Sequence, residues 1–316
     1  MAAYGRAAKG LAIAWATGYS PGVNFRKIAI IGVGLLGGSI GLAVKQRRLA
    51  GEVAGFVRRP ASLAECERAG ALDYATTDLL AAVSGADLVI LCTPLAQMPA
   101  VTAQLLPALK PGAVVTDVGS VKAGVVRDLE KLAAKAGAYF VGGHPMAGAE
   151  KTGVLAARAD LFVGAVCVVT PTKKSHGPAV RALEAFWQSL GARTLRLAPG
   201  EHDALVSRTS HLPHVVAAAL AAQVLQPPQL KTRSALCATG FRDTTRIASG
   251  SPEMWRDIAL ANRKNLGQAV GAFIRELEAF QGALARADQT AVTRFFETAK
   301  QRRDDWCASG ATHSPE

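Results

Sequence analysis

Aromatic residues, paired cysteines and long apolar runs are scarce or absent in this chain. Phe, Trp and Tyr make up 6% of its 316 residues, which provides little surface on which nucleic-acid bases stack. The five cysteines lie far apart, with no CxxC pair and no metal-type pairing with histidine, a pattern that favours a reducing, cytoplasmic location. No apolar run approaches the roughly 18 residues of a membrane span. We therefore expect a cytoplasmic protein without membrane segments.

Acidic residues are also in the minority. The chain has 36 Lys and Arg against 24 Asp and Glu, for a net charge of +12, and such a charge favours polyanions. The basic residues are scattered, however, and helix-turn-helix, zinc-finger and RNP signatures are absent, so we expect no nucleic-acid partner. Small anionic ligands explain the charge equally well.

Residues 1–26 lack acidic side chains. Arg6 and Lys9 precede the apolar run LAIAWA, which weakly resembles a signal peptide, but the run is short and no cleavage site follows. A transit peptide is the alternative. We expect a disordered extension at residues 1–26 and a short tail at residues 306–316.

From Lys27, β-branched runs such as KIAIIGVG, ADLVILCTP and AYFVGGHP alternate with helical segments. This alternation predicts an α/β fold in which residues 27–174 form a Rossmann-type, doubly wound parallel sheet. From about residue 176 the pattern is almost entirely helical, so residues 175–305 are expected to form an all-helical domain. Several of its segments are apolar on more than one side, and one chain can hardly cover them all. We therefore expect a homodimer built through these helices.

The motif GVGLLG follows the first predicted strand and opens a helix, which is the context of a dinucleotide-binding loop. Gly32 allows the tight turn, Gly34 lets the backbone approach a pyrophosphate, and Gly37 permits close helix packing. Leu35 and Leu36 begin the helix whose amino terminus would hold the phosphates. A glycine-rich turn without a ligand is the alternative.

The second predicted strand ends in GFVRRP and indicates which dinucleotide binds. Val57 stands where an NAD site usually offers an acid to the ribose, and Arg58 and Arg59 follow, where a guanidinium can pair with a 2′-phosphate. We therefore expect NADP rather than NAD, although arginines at strand ends are often merely solvated. Thr93 and Pro94 end another strand and are expected to border the nicotinamide or its ribose.

Three further motifs contain polar residues that are candidates for the site. In TDVGSVK, Ser120 can reach a substrate hydroxyl and Lys122 an anionic group, whereas a turn-forming serine is the alternative. In VGGHPMAGAE, small residues on both sides of His144 leave open space around its imidazole. SHLPH holds His211 and His214, but no third ligand is evident, so no metal site is expected.

Together, these motifs resemble the prephenate and arogenate dehydrogenases of tyrosine biosynthesis. The resemblance runs from about residue 27 to 300 and rests on KIAIIGVGLLGGSIGLA, LCTP, TDVGSVK, VGGHPMAGAEKTG, SHLPH and FRDTTRIASGSPEMWRDI. HPMAGAE, SHLPH and TRIASxSPxMW in this order are far more specific than GxGxxG. The resemblance implies oxidative decarboxylation, in which hydride passes from a ring carbinol to the nicotinamide as a carboxylate leaves as carbon dioxide.

The resemblance also implies roles for particular residues. His144 matches the catalytic histidine that accepts the hydrogen bond of the substrate hydroxyl, and Ser120 matches a serine that bonds the same region. Arg246 matches the arginine that holds a substrate carboxylate, with a salt bridge to a nearby aspartate as the alternative. His214 matches a histidine near the substrate side chain, and Glu150 an acidic residue that gates or orients the site.

Two other functions fit parts of this pattern. A β-hydroxyacid dehydrogenase also joins a Rossmann domain to a helical dimer domain, but it commonly uses a helical lysine as acid or base, and no such lysine is evident. A non-catalytic sensor that binds NADP and a protein partner would bind cofactor without turnover. The choice between prephenate and arogenate stays open, with Arg58 and Arg59 favouring arogenate by analogy.

Overall fold

A computed structural model describes residues 24–149, 151–227 and 230–309. Most of the expected extension, residues 1–23, lies outside the described residues, as do residues 310–316 of the expected tail. The last helix runs to Ala308, so the segment expected to be a tail from residue 306 begins as helix.

The first half of the chain forms a six-stranded parallel sheet in the order β3-β2-β1-β4-β5-β6. This order, with its reversal between β1 and β4, is that of a dinucleotide-binding sheet. The expected Rossmann-type fold is therefore confirmed. The strands are β1 (Phe25–Ile31), β2 (Ala50–Phe56), β3 (Tyr74–Thr76), β4 (Leu88–Leu91), β5 (Val114–Asp117) and β6 (Tyr139–Phe140).

Helices cover both faces of this sheet, which is why its central strands are apolar on both sides. Within β1, Ile28 and Ile30 enter one core, whereas Ala29 and Ile31 enter the other, as the two-residue period of a strand requires. The helices between the strands are α1 (Leu35–Arg47), α2 (Ala61–Ala69), α3 (Leu79–Val83), α4 (Met98–Leu105) and α5 (Ala123–Lys135).

A second, three-stranded sheet follows, in which β8 pairs antiparallel with β7 and parallel with β9. The run AYFVGGHP, predicted as one strand, is divided: β6 ends at Phe140 and β7 begins at Gly142, so the chain leaves the first sheet just before His144. The elements of this part are β7 (Gly142–Pro145), β8 (Val166–Thr170), α6 (Gly177–Ser189) and β9 (Arg193–Arg196).

The position of β9 corrects the expected domain boundary. The sequence pattern predicted an almost entirely helical chain beyond about residue 176, yet β9 is a strand, and α6 packs into the core of the first half. Phe186 on α6 meets Phe25 of β1 edge to face, with ring centroids 6.0 Å apart. The helical half therefore begins after β9 rather than after residue 174. Because β9 is short and alternates weakly, its sequence carries little strand signal.

The rest of the described chain is helical, as expected. Its first two helices are joined by a π-helical turn, Ser207–His211, so that they form one long rod. None of the described helices is long and apolar enough to cross a membrane. The helices are α7 (Pro199–Val206), α8 (Leu212–Val224), α9 (Leu230–Ala235), α10 (Thr239–Thr245), α11 (Pro252–Ala261), α12 (Arg263–Ala285) and α13 (Gln289–Ala308).

A buried ion pair links the two sheets. The side chains of Lys122 and Asp117 are fully inaccessible to solvent and contact each other directly. The Lys122 ammonium also donates to the Gly143 carbonyl at 2.8 Å, which ties the end of β5 to β7. Asp117 in turn accepts from the backbone N–H of Gly119 at 2.9 Å and of Gly143 at 3.3 Å. Removing one member of a buried ion pair is costly, because the other charge then stays buried without a partner.

We expect Lys122→Met to lower the free energy of unfolding by about 3–5 kcal/mol, because the Asp117 carboxylate stays buried without its counter-charge. Urea unfolding monitored by circular dichroism measures the loss. Lys300→Met, which removes an exposed pair with Asp304, is the matched control and is expected to cost about 0–1 kcal/mol. Equal losses in the two variants would contradict this account of Lys122.

Candidate active site

The glycine loop between β1 and α1 has the geometry of a phosphate cradle. Gly32 has a φ of +97°, and a Cβ there would lie 2.9 Å from the Cys92 carbonyl oxygen. A Cβ on Gly37 would meet the Gly32 carbonyl oxygen at 2.2 Å, so only glycine lets α1 approach this closely. Nothing lies within 4 Å of a Cβ built on Gly34, the residue that precedes α1. The loop therefore leaves open space in front of the helix amino terminus, as a pyrophosphate needs.

The neighbouring strand ends supply the rest of this crevice. Arg58 and Arg59 are exposed just beyond the carboxyl end of β2, next to the buried Val57. Thr93 and Pro94 follow β4 on the other side of the switch point between β1 and β4. The Thr93 hydroxyl is buried and has no hydrogen-bond partner among the described residues. An orphaned hydroxyl beside the glycine loop fits a site that a polar ligand completes.

His144 lies in β7, next to the carboxyl end of β5. Gly142 and Gly143, which precede His144, are needed for a reason other than the expected open space around its imidazole. A Cβ on Gly143 would lie 2.9 Å from the Asp117 carbonyl oxygen, and one on Gly142 would lie 2.4 Å from the Thr170 hydroxyl. They are needed for close strand packing rather than for open space around the imidazole. Open space is found instead at Gly148, where a Cβ would have no neighbour within 4 Å.

The His144 imidazole is one end of a buried hydrogen-bonded chain. Its Nδ1 lies 2.8 Å from Nε2 of His202, whose Nδ1 lies 2.8 Å from the Asp203 carboxylate. The Asp203 carboxylate accepts the backbone N–H of Lys122 at 2.7 Å and of Ala123 at 2.9 Å, so it caps the amino terminus of α5. Within the described residues, Nε2 of His144 makes no hydrogen bond, which leaves it available to a ligand.

Burial is the main reason that the pKa of His144 lies well below its ordinary 6.5, and electrostatic interaction with the neighbouring His202 and Lys122 lowers it further. The imidazole is therefore neutral at pH 7. A neutral imidazole with a free nitrogen can accept a proton, which is the requirement for a general base.

The position of Lys122 differs from the expectation that it binds an anionic group of the substrate. Its ammonium is shut off from solvent and is already bonded to Asp117 and to the Gly143 carbonyl. Lys122 instead holds the strands on which His144 and the β5 loop are mounted. Ser120, in the loop after β5, is only partly buried and lies next to His211. The Ser120 backbone raises the pKa of His211, but burial lowers that pKa by more.

His211 is oriented by Asn262. The Asn262 amide nitrogen donates to the Asp203 carbonyl at 2.8 Å and lies 3.2 Å from Nδ1 of His211. The same nitrogen therefore supplies a hydrogen to His211, which places the imidazole's own hydrogen on Nε2. Burial lowers the pKa of His211 to about 4, so this ring also is neutral at pH 7.

His214 and Arg246 lie on the outer side of this cluster. The His214 ring stacks on Trp255 with centroids 3.7 Å apart, and its Nδ1 bonds the Ser210 carbonyl at 3.0 Å. Burial lowers the pKa of His214, and the nearby charge of Arg246 lowers it further. The structure thus brings His144, Ser120, His214 and Arg246 to one region. Glu150 lies outside the described residues.

Sequence reasoning missed His202, Asp203 and Asn262. The signal available was the adjacent His–Asp pair in helix α7, and both side chains prove to be buried, so each needs a polar partner. No such signal marks Asn262. In the described ranges no group of three or more His, Cys, Asp or Glu side chains is arranged to hold a metal ion.

Comparison with known proteins agrees with this geometry. Residues 40–196 match the family model of the prephenate dehydrogenase nucleotide-binding domain, and residues 198–301 match that of the prephenate dehydrogenase dimerization domain. The boundary between the two matches falls just after β9.

Relatives and solved structures point the same way. A prephenate dehydrogenase of Bacillus subtilis is 36% identical over 88% of this chain and 75% of its own length. A cyclohexadienyl dehydrogenase of Zymomonas mobilis is 34% identical over 88% of this chain and 95% of its own. The crystal structure of the A. aeolicus prephenate dehydrogenase with hydroxyphenyl propionate and NAD+ superposes with a TM-score of 0.83 at 31% identity, covering 90% of this chain and 99% of that one. The chain belongs to the prephenate dehydrogenase family.

Proposed function

We propose that the protein catalyses the NAD(P)-dependent oxidative decarboxylation of prephenate or arogenate, which yields 4-hydroxyphenylpyruvate or tyrosine. The observation that carries this proposal is the neutral imidazole of His144, held at the carboxyl edge of a dinucleotide-binding sheet, whose Nε2 has no hydrogen-bond partner among the described residues. Family membership supplies the substrate class, and the geometry supplies a proton acceptor beside the crevice in which a dinucleotide fits.

The residues of the chain perform three tasks in this reaction. His144 accepts the proton of the ring hydroxyl at Nε2, so that electrons can leave the carbinol carbon with its hydrogen. When bound, the nicotinamide supplies the hydride acceptor. Ser120 bonds the same hydroxyl region and orients it toward His144. As carbon dioxide leaves and the ring becomes aromatic, the proton on His144 returns to the oxygen, which gives the phenol. The imidazole is thus neutral again after each turnover.

We expect His144→Asn to lower kcat at least about a hundredfold, because a positioned general base contributes about 10²–10⁴ in rate. Absorbance of the reduced nicotinamide, followed with prephenate and with arogenate, measures kcat, and cofactor titration is expected to give an unchanged Kd. His176→Gln, on a ring that stacks against Tyr139 away from the site, is the matched control. Normal turnover by the Asn variant would remove His144 from the mechanism, and absence of turnover by the wild type with either substrate would refute the function.

Arg246 is proposed to bind a substrate carboxylate, and His214 to contact the substrate side chain. The guanidinium is at the start of the 3₁₀ turn Arg246–Ser249, close enough to His214 for its charge to act on that ring. A planar fork of donors matches a carboxylate in two places at once. The stack of His214 on Trp255 supports its role, since it fixes the ring at the edge of the cluster. Glu150 is retained as a residue that gates or orients the site.

We expect Arg246→Gln to raise KM for the substrate at least about tenfold, because hydrogen bonds to charged groups are worth about 1.5–3 kcal/mol. The fall in kcat should be smaller, since the residue holds substrate and transition state alike. Steady-state kinetics separates the two constants. Arg181→Gln on α6 is the control, and a loss confined to kcat would contradict a binding role for Arg246.

NADP is proposed as the preferred dinucleotide, held by Gly32, Gly34, Leu35, Leu36 and Gly37 at the phosphates. Arg58 and Arg59 support this choice, because both side chains are exposed beside the strand end that faces the ribose in such sheets. Within the part of the chain that the structure describes, neither guanidinium is paired with a carboxylate. Thr93 and Pro94 are proposed to border the nicotinamide or its ribose.

We expect the wild type to have a higher kcat/KM with NADP than with NAD. In the double variant Arg58→Ala, Arg59→Ala, kcat/KM with NADP should fall at least about tenfold, the equivalent of one charge-assisted bond. Its kcat/KM with NAD should change little. Arg68→Ala, near the end of α2, controls for loss of surface charge. A wild-type enzyme that prefers NAD would overturn the assignment.

A homodimer formed through the helical half is also proposed, in keeping with the match to a dimerization domain. The supporting observation is that many large apolar side chains of this half are more than a third exposed in the single chain. A second copy would cover such a surface. They are Leu205, Val215, Leu225, Leu230, Leu236, Met254, Leu260, Ile274, Leu277, Leu284, Phe296 and Trp306. A cytoplasmic location is retained as well, since all five cysteines are free thiols.

A further inference from the structure

We propose that His202 and Asp203 are positioning residues that fix the tautomer of His144, so that its Nε2 always presents a lone pair to the substrate hydroxyl. This proposal rests on the proposed function, in which His144 is the proton acceptor. Neither residue stands in the motifs that carry the family resemblance, and neither reaches the crevice itself.

The argument begins at the Asp203 carboxylate. Its two oxygens accept backbone N–H groups from Lys122 and Ala123 at 2.7 and 2.9 Å. Backbone N–H groups only donate, so both oxygens act as acceptors, as in an ionised carboxylate. The short contact between Asp203 and Nδ1 of His202, at 2.8 Å, must therefore be a bond that the imidazole donates. Nδ1 of His202 carries a hydrogen.

In the second step the same constraint extends from His202 to His144. In the neutral form of His202, which has one N–H and one lone pair, a hydrogen on Nδ1 leaves Nε2 as an acceptor. That acceptor lies 2.8 Å from Nδ1 of His144, which must then donate. With its hydrogen on Nδ1, His144 has its lone pair on Nε2, the nitrogen that has no protein partner among the described residues.

Burial makes the constraint strong. His202 is fully inaccessible to solvent, and the side chain of Asp203 is 3% exposed, so water does not compete for these bonds. The opposite direction of donation, from Asp203 to His202 to His144, would require a protonated Asp203 whose carboxyl group also faces two backbone N–H groups. Asn262 further holds the backbone of Asp203 by donating to its carbonyl at 2.8 Å.

The tautomer matters because the alternative form cannot act as a base. With its hydrogen on Nε2, His144 would present an N–H to the substrate hydroxyl and could not accept its proton. The same logic holds in Ser-His-Asp hydrolases, where changing the buried aspartate to asparagine leaves the geometry intact but lowers kcat about 10⁴-fold. Here the carboxylate acts through a second imidazole rather than directly.

The test uses two substitutions of His202 in the full-length protein. His202→Leu removes the acceptor for Nδ1 of His144. His202→Gln keeps both functions, because its amide oxygen can accept from His144 while its amide nitrogen donates to Asp203. Each variant is prepared with ¹⁵N-labelled histidine, and long-range ¹H–¹⁵N spectra report which ring nitrogen of His144 is protonated. His144→Asn identifies its signals, and His176→Gln is the matched His→Gln control.

We expect the wild type to show a hydrogen on Nδ1 and a bare Nε2 in His144, without substrate present. His202→Leu should give mixed tautomers and lower kcat at least about tenfold, within the ~10²–10⁴ that the base contributes as a whole, while the Kd for the dinucleotide is unchanged. His202→Gln should restore the wild-type pattern and most of kcat.

Three results would overturn the proposal: a wild-type His144 with its hydrogen on Nε2, a Leu variant with an unchanged tautomer and kcat, or a Gln variant as impaired as the Leu variant. The failure of the proposed function is distinguishable from these, because it is seen as normal turnover by His144→Asn or as no turnover by the wild type. The spectra of the free protein do not depend on turnover.

Discussion

One carboxylate, that of Asp203, connects the two halves of this protein. It sits on α7 of the helical half, yet its oxygens bind the backbone N–H groups that open α5 in the nucleotide-binding half. A negative charge at a helix amino terminus is favourable because it compensates both the unpaired N–H groups and the helix dipole. The same carboxylate orders the imidazoles of His202 and His144, so one group both joins the two halves and orients the proposed base.

The neighbouring buried pair, Lys122 with Asp117, has a complementary task. It joins the end of β5 to β7 and so brings the residue before His144 against the carboxyl edge of the dinucleotide-binding sheet. The proposed reaction needs a base for the ring hydroxyl and a hydride acceptor at the same ring carbon, and this arrangement puts the proposed base, His144, at that edge. Membership of the prephenate dehydrogenase family also removes the β-hydroxyacid dehydrogenase alternative, since that class shares the two-domain plan but not these motifs.

Much of the site is built from short segments whose conformation depends on residues close to them in the sequence. GVGLLG forms its turn because Gly32 and Gly37 tolerate contacts that no side chain could, and the predicted parallel sheet was confirmed. Two predictions failed where local pattern is weak. The strand Arg193–Arg196 is too short to alternate clearly, and the apolar run AYFVGGHP conceals the point at which the chain passes from one sheet to another.

The sequence by itself therefore predicted the sheet, the glycine loop and His144 as the proposed base, because each is marked by a motif of neighbouring residues. Only the tertiary structure decided the surroundings of that base. His202 lies 58 residues from His144, and Asp203 lies 81 residues from the backbone N–H of Lys122 that it binds. Hydrogen bonds between such distant residues leave no periodic signal, and Lys122, whose type suits a ligand anion, is instead buried by the packing of two sheets.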